Sequence, residues 1–292
     1  LLGYLAHPIT ASLLALTYLT SLQIPRTRPR REDLRSVAAL ALSNYPFVFS
    51  TQLLSMLSVY VFAYIVREAI SVGTLYISMM ITLAILAIPN SLLNAALPIG
   101  TRRNVDPFSD SLRIGLALST PITVAVIAAP RTLLQMISPE LINGANVLRT
   151  LLLSVTPLSV LTATIAKLNK ERRTNILAAM GVLLLSLLVA LMIPLTKFFK
   201  TEGAALAFLI ANTLLLPIAL KHLPTTAKTI AIPWTLHIAT AILSTTTPLN
   251  EIPLAIATVA LTTIAMHITK IATLNELHTI AKHAINTLLQ KH

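Results

Sequence analysis

The chain is a succession of long apolar runs set apart by short segments that gather most of its charge. At its centre, Val37–Val66 and Val72–Pro98 read as two apolar helices joined by Arg67-Glu68-Ala69-Ile70-Ser71. Each is long enough to cross the hydrocarbon core, which takes about 20 helical residues. Leu1–Gln23 precedes them, interrupted at His7-Pro8, and Ile24–Ser36 reads as a loop holding Arg26, Arg28, Arg30, Arg31 and Arg35. Thr101–Arg113 is polar, with room for a short helix lying along the surface. Further spans fit Ile114–Ile137, Val147–Ala166, Asn175–Leu195, Gly203–Leu220, Thr229–Thr246 and Ile252–Ile268. In Leu274–His292 apolar positions alternate with Lys and His, as in an amphipathic surface helix. The pattern predicts an all-α, polytopic transmembrane bundle of about nine membrane-spanning helices, a multi-pass protein of the cell membrane.

Composition strengthens this reading. The chain is 55% hydrophobic and 11% charged with a mean hydropathy of +0.79, whereas soluble domains are about 25% charged. The formal net charge of +12 would suggest nucleic acid in a soluble protein. Here the cations occupy short loops, so membrane topology accounts for them and no nucleic-acid partner is expected. Cytoplasmic loops collect Lys and Arg. With Ile24–Ser36 inside and the spans alternating, only Arg67, Arg131, Arg149, Lys197 and Lys200 of the 22 Lys and Arg fall outside. The first helix then runs inward from the external face. With no Met and no charged n-region before it, this predicts an odd number of helices upstream. There are no cysteines, which removes disulfides, thiolate metal sites and a thiol nucleophile.

Several stretches resemble a known family. They are Pro46 early in a helix, Val72-Gly73-Thr74-Leu75-Tyr76 opening the next, and Pro89-Asn90-Ser91-Leu92 leading to Leu97-Pro98. Lys167-Leu168-Asn169-Lys170-Glu171-Arg172 and Glu202-Gly203-Ala204-Ala205-Leu206-Ala207 agree with it. Together they are similar to the polysaccharide-biosynthesis, Wzx-like flippases of the multidrug/oligosaccharidyl-lipid/polysaccharide exporter superfamily. The resemblance implies a two-lobed flippase/exporter fold of which this chain is the second lobe, enclosing a cavity through which a lipid-linked oligosaccharide passes by alternating access. On that basis residues 1–36 end the N-terminal lobe and 37–223 form the C-terminal lobe. Residues 224–270 add two helices and 271–292 a cytoplasmic tail. The implied partners are membrane lipids, a lipid-linked glycan and the remaining N-terminal lobe.

No enzyme constellation or cofactor motif occurs, so a transporter rather than an enzyme is expected. No Asp or Glu falls in the middle of a span, since Glu68, Glu140, Glu202 and Glu251 are all at external ends. A cation-coupled multidrug exporter of the same superfamily needs a buried carboxylate, so it stands as the alternative. A non-transporting scaffold or degenerate fragment is the third possibility. For an anionic sugar-diphosphate headgroup the candidate is Arg67, whose guanidinium suits phosphate oxygens, with Arg131 and Arg149 flanking the same side. The bland alternative is interfacial anchoring, or pairing with Glu68. Gln52, Met56, Tyr60 and Tyr64 share one helix face, as do Asn90 and Asn94 on the next. Gln52, Tyr60, Tyr64, Asn90 and Asn94 are therefore candidate substrate contacts, against plain interhelical packing. Pro46, Pro89, Pro121 and Pro157 are candidate hinges or fixed kinks. His7, His237 and His267 lie in or near spans, where interhelical hydrogen bonding is the simpler role.

Overall fold

The computed structural model describes residues 30–39, 41–42, 45, 66, 68–102, 107–223, 225–247, 250–269 and 271, with backbone alone over 95–102. The chain divides into two compact units, Leu1–Ala39 and Leu40–His292. In the first, residues 31–39 are helical, which corrects the loop expected over Ile24–Ser36. The backbone N–H of Arg30 donates to Asp33 Oδ2 at 3.2 Å. A carboxylate three residues into a helix satisfies an otherwise unpaired N-terminal donor in this way, and a count of arginines does not reveal it.

The described part of the second unit is helical throughout, without a strand. It comprises α1 (Ala69–Arg102), α2 (Pro107–Ala128), α3 (Pro130–Ile137), a 3-10 segment (Pro139–Gly144), α4 (Ala145–Leu153), α5 (Val155–Lys170), α6 (Thr174–Leu214), α7 (Leu216–His222), α8 (Ala227–Thr246) and α9 (Glu251–Ile268). Five runs among the described residues are long and apolar enough to cross a membrane: Ala69–Asn94, Pro107–Ala128, Pro139–Lys170, Thr174–His222 and Glu251–Ile268. This falls short of the expected count of about nine. Leu1–Gln23 and Val37–Val66 lie mostly outside the described residues, and Thr-rich Ala227–Thr246 is not among the five.

The breaks have local causes. α2 starts at Pro107, within the segment expected to be polar, because Phe108 and Leu112 are buried there. The helix expected to run on to Ile137 stops at Ala129, whose φ of −125° and ψ of 51° are not helical. A residue before proline is pushed out of the helical region, and Pro130 follows. The Thr174–His222 run is 49 residues long. It breaks at Lys200, whose φ of 49° and ψ of −126° are glycine-like. A Cβ on Gly203 would lie 1.9 Å from the Leu195 carbonyl oxygen, so the chain doubles back here and only glycine fits.

α2 packs against α1, α5, α8 and α9, which makes it the axis of the described bundle. At its contact with α1, a Cβ on Gly115 would lie 2.7 Å from Pro89 Cα. The core is mainly apolar, with Phe108, Leu112, Leu116, Leu158, Leu161 and Phe208 among its buried side chains, but stripes of small polar residues are buried beside it. On α9 the buried side chains are Leu254, Thr258, Thr262 and Met266, every fourth residue. On the same helix Ile256, Leu261 and Ile264 are well exposed. α8 buries Thr229, His237 and Thr240 while Ile242 and Leu243 face out. On α1, Thr74, Ser78 and Thr82 form a buried stripe at the same spacing. Buried hydroxylated stripes backed by exposed Ile and Leu fit a lipid surround, because small and hydroxylated residues let helices approach closely. Many of the Thr hydroxyls donate to carbonyls one turn back, as Thr82 does to Ser78 O at 2.8 Å and Thr258 to Leu254 O at 2.8 Å.

Candidate functional site

Of the residues singled out from the sequence, Gln52, Tyr60, Tyr64 and Arg67 lie outside the described residues, as do His7 and Pro46. Asn90 and Asn94 sit one turn apart on α1. Asn90 is half-buried and Asn94 exposed. The side-chain oxygen of Asn90 is buried with no hydrogen-bond partner, and its neighbour Pro89 is held against Gly115. Pro121 lies inside α2. Pro157 is in the first turn of α5, where a missing N–H costs nothing.

Other buried polar atoms are also without partners: Ser78 Oγ, Ser119 Oγ, Asn212 Oδ1 and His237 Nε2. His237 is fully buried, with Nδ1 3.4 Å from Thr156 Oγ1 across the α5–α8 contact. This matches interhelical hydrogen bonding on one side of the ring and leaves the other side open. His267 is exposed at the end of α9. Nearby, Trp234 Nε1 donates to Leu153 O at 3.1 Å, a second tie from α8 to the α4–α5 junction.

Arg149 was expected to flank an external surface with Arg131. Arg131 is exposed, but Arg149 is only 7% exposed and is the hub of a network. Its guanidinium donates to Asn146 Oδ1 at 3.1 Å, Ile127 O at 3.4 Å and Ser244 O at 3.5 Å. It stands 4.0 Å from Glu251. Glu251 in turn accepts from the backbone N–H of Thr132 at 2.8 Å and from its hydroxyl at 3.0 Å. Asn146 donates to Glu202 at 3.3 Å, beside the Lys200 break. One buried cation thus joins the end of α2, the start of α4, the end of α8 and the start of α9. The available signal was a lone Arg inside the apolar run Val147-Leu148-Arg149-Thr150-Leu151; an ionisable residue at such a place has a partner.

Next to this hub lies a cleft of about 280 Å³. Glu68, Glu140, Phe199, Lys200, Thr201 and Glu202 contribute to its walls. The four acidic positions expected at one end of the bundle are thereby brought together, three in the cleft and Glu251 in the adjoining network. Arg67 was the headgroup candidate, and its chain neighbour Glu68 accepts from Ser71 at 2.8 Å. At the other end the charges are basic. Lys170 Nζ lies 5.7 Å from the centre of the Phe108 ring, and Arg113 donates to Ile271 O at 2.8 Å. Lys167 and Arg173 pair with Glu171.

No protein-family model matches this sequence, and neither a curated protein nor a solved structure matches it. No group of three or more His, Cys, Asp or Glu among the described residues has the geometry of a metal site.

Proposed function

We propose that this chain forms one lobe of a two-lobed, multi-pass transporter of the cell membrane, which moves a lipid-linked oligosaccharide between leaflets by alternating access. One observation carries this reading. Among the described residues the bundle interior holds uncharged side-chain oxygens with no hydrogen-bond partner (Ser78 Oγ, Asn90 Oδ1, Ser119 Oγ and Asn212 Oδ1). Every described carboxylate of the bundle sits instead at a helix start, beyond a helix end or at a break: Glu68, Asp110, Glu140, Glu171, Glu202 and Glu251. Hydroxyls and amides suit a hydroxylated, uncharged part of a cargo. A cation carrier needs a carboxylate inside the bundle to bind and release its ion. The resemblance in the Gly73, Asn90, Lys167 and Gly203 stretches points the same way. Arg67 remains the candidate for the diphosphate.

The test is reconstitution of the full-length protein in proteoliposomes carrying a fluorescent lipid-linked oligosaccharide. Sugar initially shielded in the inner leaflet is expected to become accessible from outside at a rate above that of protein-free vesicles. A well-folded protein that leaves this rate unchanged removes the reading. A second reading, a proton-coupled exporter, is favoured by His237 alone. It requires drug efflux to respond to an imposed pH gradient and to stop in His237→Gln.

A further inference from the structure

The cleft between the start of α1, the 3-10 segment and the α6 break has a chemistry that nothing above uses. Three carboxylates, Glu68, Glu140 and Glu202, face one described cation, Lys200. Among the described residues none of the three forms an ion pair. In a chain of formal net charge +12, an electronegative recess is out of keeping with its surroundings. Two further groups in its wall point to a ligand. Thr201 is 8% exposed, yet its hydroxyl takes no hydrogen bond among the described residues. Phe199 is 55% exposed, an apolar ring held at the rim of a polar recess. The tip that carries both is fixed by the Lys200 backbone and by the Gly203–Leu195 contact.

We infer that this cleft binds an amine-bearing saccharide. The carboxylates would take the ammonium group, which a bare sugar lacks, by attraction of opposite charges. The Phe199 ring would offer its face to the cation or to the apolar face of the sugar. The free Thr201 hydroxyl would pair with a ring hydroxyl. Glu68 and Glu202 each give one oxygen, to Ser71 and Asn146 respectively, and keep the other for the ligand. A diphosphate is repelled from this recess by the same carboxylates. Binding here is independent of transport, and the two are measured separately.

The experiment is equilibrium binding to the full-length protein in nanodiscs of zwitterionic lipid, with glucosamine, N-acetylglucosamine and propylamine as probes. Glucosamine is expected to bind saturably and at least about threefold tighter than N-acetylglucosamine, a preference of the size a solvent-exposed ion pair gives. It should weaken with added salt. Glu140→Gln is expected to erase the preference and Phe199→Leu to weaken both sugars. Both positions are exposed, and thermal melting checks that each variant folds. Equal affinity for the two sugars, or no saturable glucosamine binding, overturns the charge assignment. Propylamine binding as tightly as glucosamine overturns the saccharide assignment, and a preference that survives Glu140→Gln overturns the location. Loss of transport with binding intact touches only the transport reading.

Discussion

The two ends of the bundle solve different problems. At the end that carries Arg149, helices stop, bend and double back, and polar side chains tie the loose ends together. Arg149 alone reaches Ile127, Asn146, Ser244 and Glu251. At the other end Lys167, Lys170, Arg172 and Arg173 crowd one turn, and their contacts include a neighbouring glutamate and the face of Phe108. On the proposed topology, charge at the basic end marks the side of the membrane it faces. Charge at the Arg149 end sets how the helices sit against each other.

If that contrast is right, equal substitutions should have unequal effects. Arg149→Leu is expected to be the most damaging change, at about 3 kcal/mol, because it strands Glu251 and several carbonyls in a buried place. The check is thermal or denaturant unfolding in detergent, with Glu251→Gln as a milder companion that keeps an acceptor for Thr132. A loss from Arg149→Leu no larger than that from a surface lysine would dissolve the contrast. Next in size is Gly203→Ala, at about 2 kcal/mol for overpacking against Leu195. Its control is Gly73→Ala, where a Cβ meets nothing within 4 Å and a gain of up to about 1 kcal/mol is expected from helix propensity. Lys170→Met should cost about 0.5 kcal/mol, the scale of an exposed cation–π contact.

Sidedness sharpens the comparison without changing stability. The chain has no cysteine, so single cysteines at Glu140 and at Arg172 report without background. An impermeant maleimide applied to intact cells should label the first and reach the second only after permeabilisation. Labelling of both from one side would end the assignment of the two clusters to opposite faces.

Much of this was readable in advance. Glu68, Glu140, Glu202 and Glu251 were assigned to one end from the spacing of apolar runs, and three of them line a single cleft, with the fourth in the network beside it. Less readable were the helix limits. Proline positions alone did not show that α2 would begin at Pro107 or stop short of Pro130, because burial of Phe108 and Leu112 outweighs the polarity of their neighbours. Arg149 was read as a surface cation, since its partners on α2, α8 and α9 are far away in sequence. Asn90 is half-buried on α1 with an unused oxygen, whereas Asn94, one turn on, is exposed.

By itself the sequence determined a helical chain with runs apolar enough to cross a membrane, with Glu68, Glu140, Glu202 and Glu251 near one set of helix ends and its basic loops near the other. Length and polarity along the chain suffice for that, because lipid excludes charge wherever the fold puts the helices. Tertiary structure alone decided which faces turn inward: Thr258 and Thr262 toward α2 with Ile256 and Ile264 outward, and Arg149 into a buried hub. In lipid, apolar surface is not driven inward, so hydrophobic periodicity carries no instruction about which face packs. Close approach at small residues and the pairing of buried polar groups settle it, and both depend on helices distant along the chain.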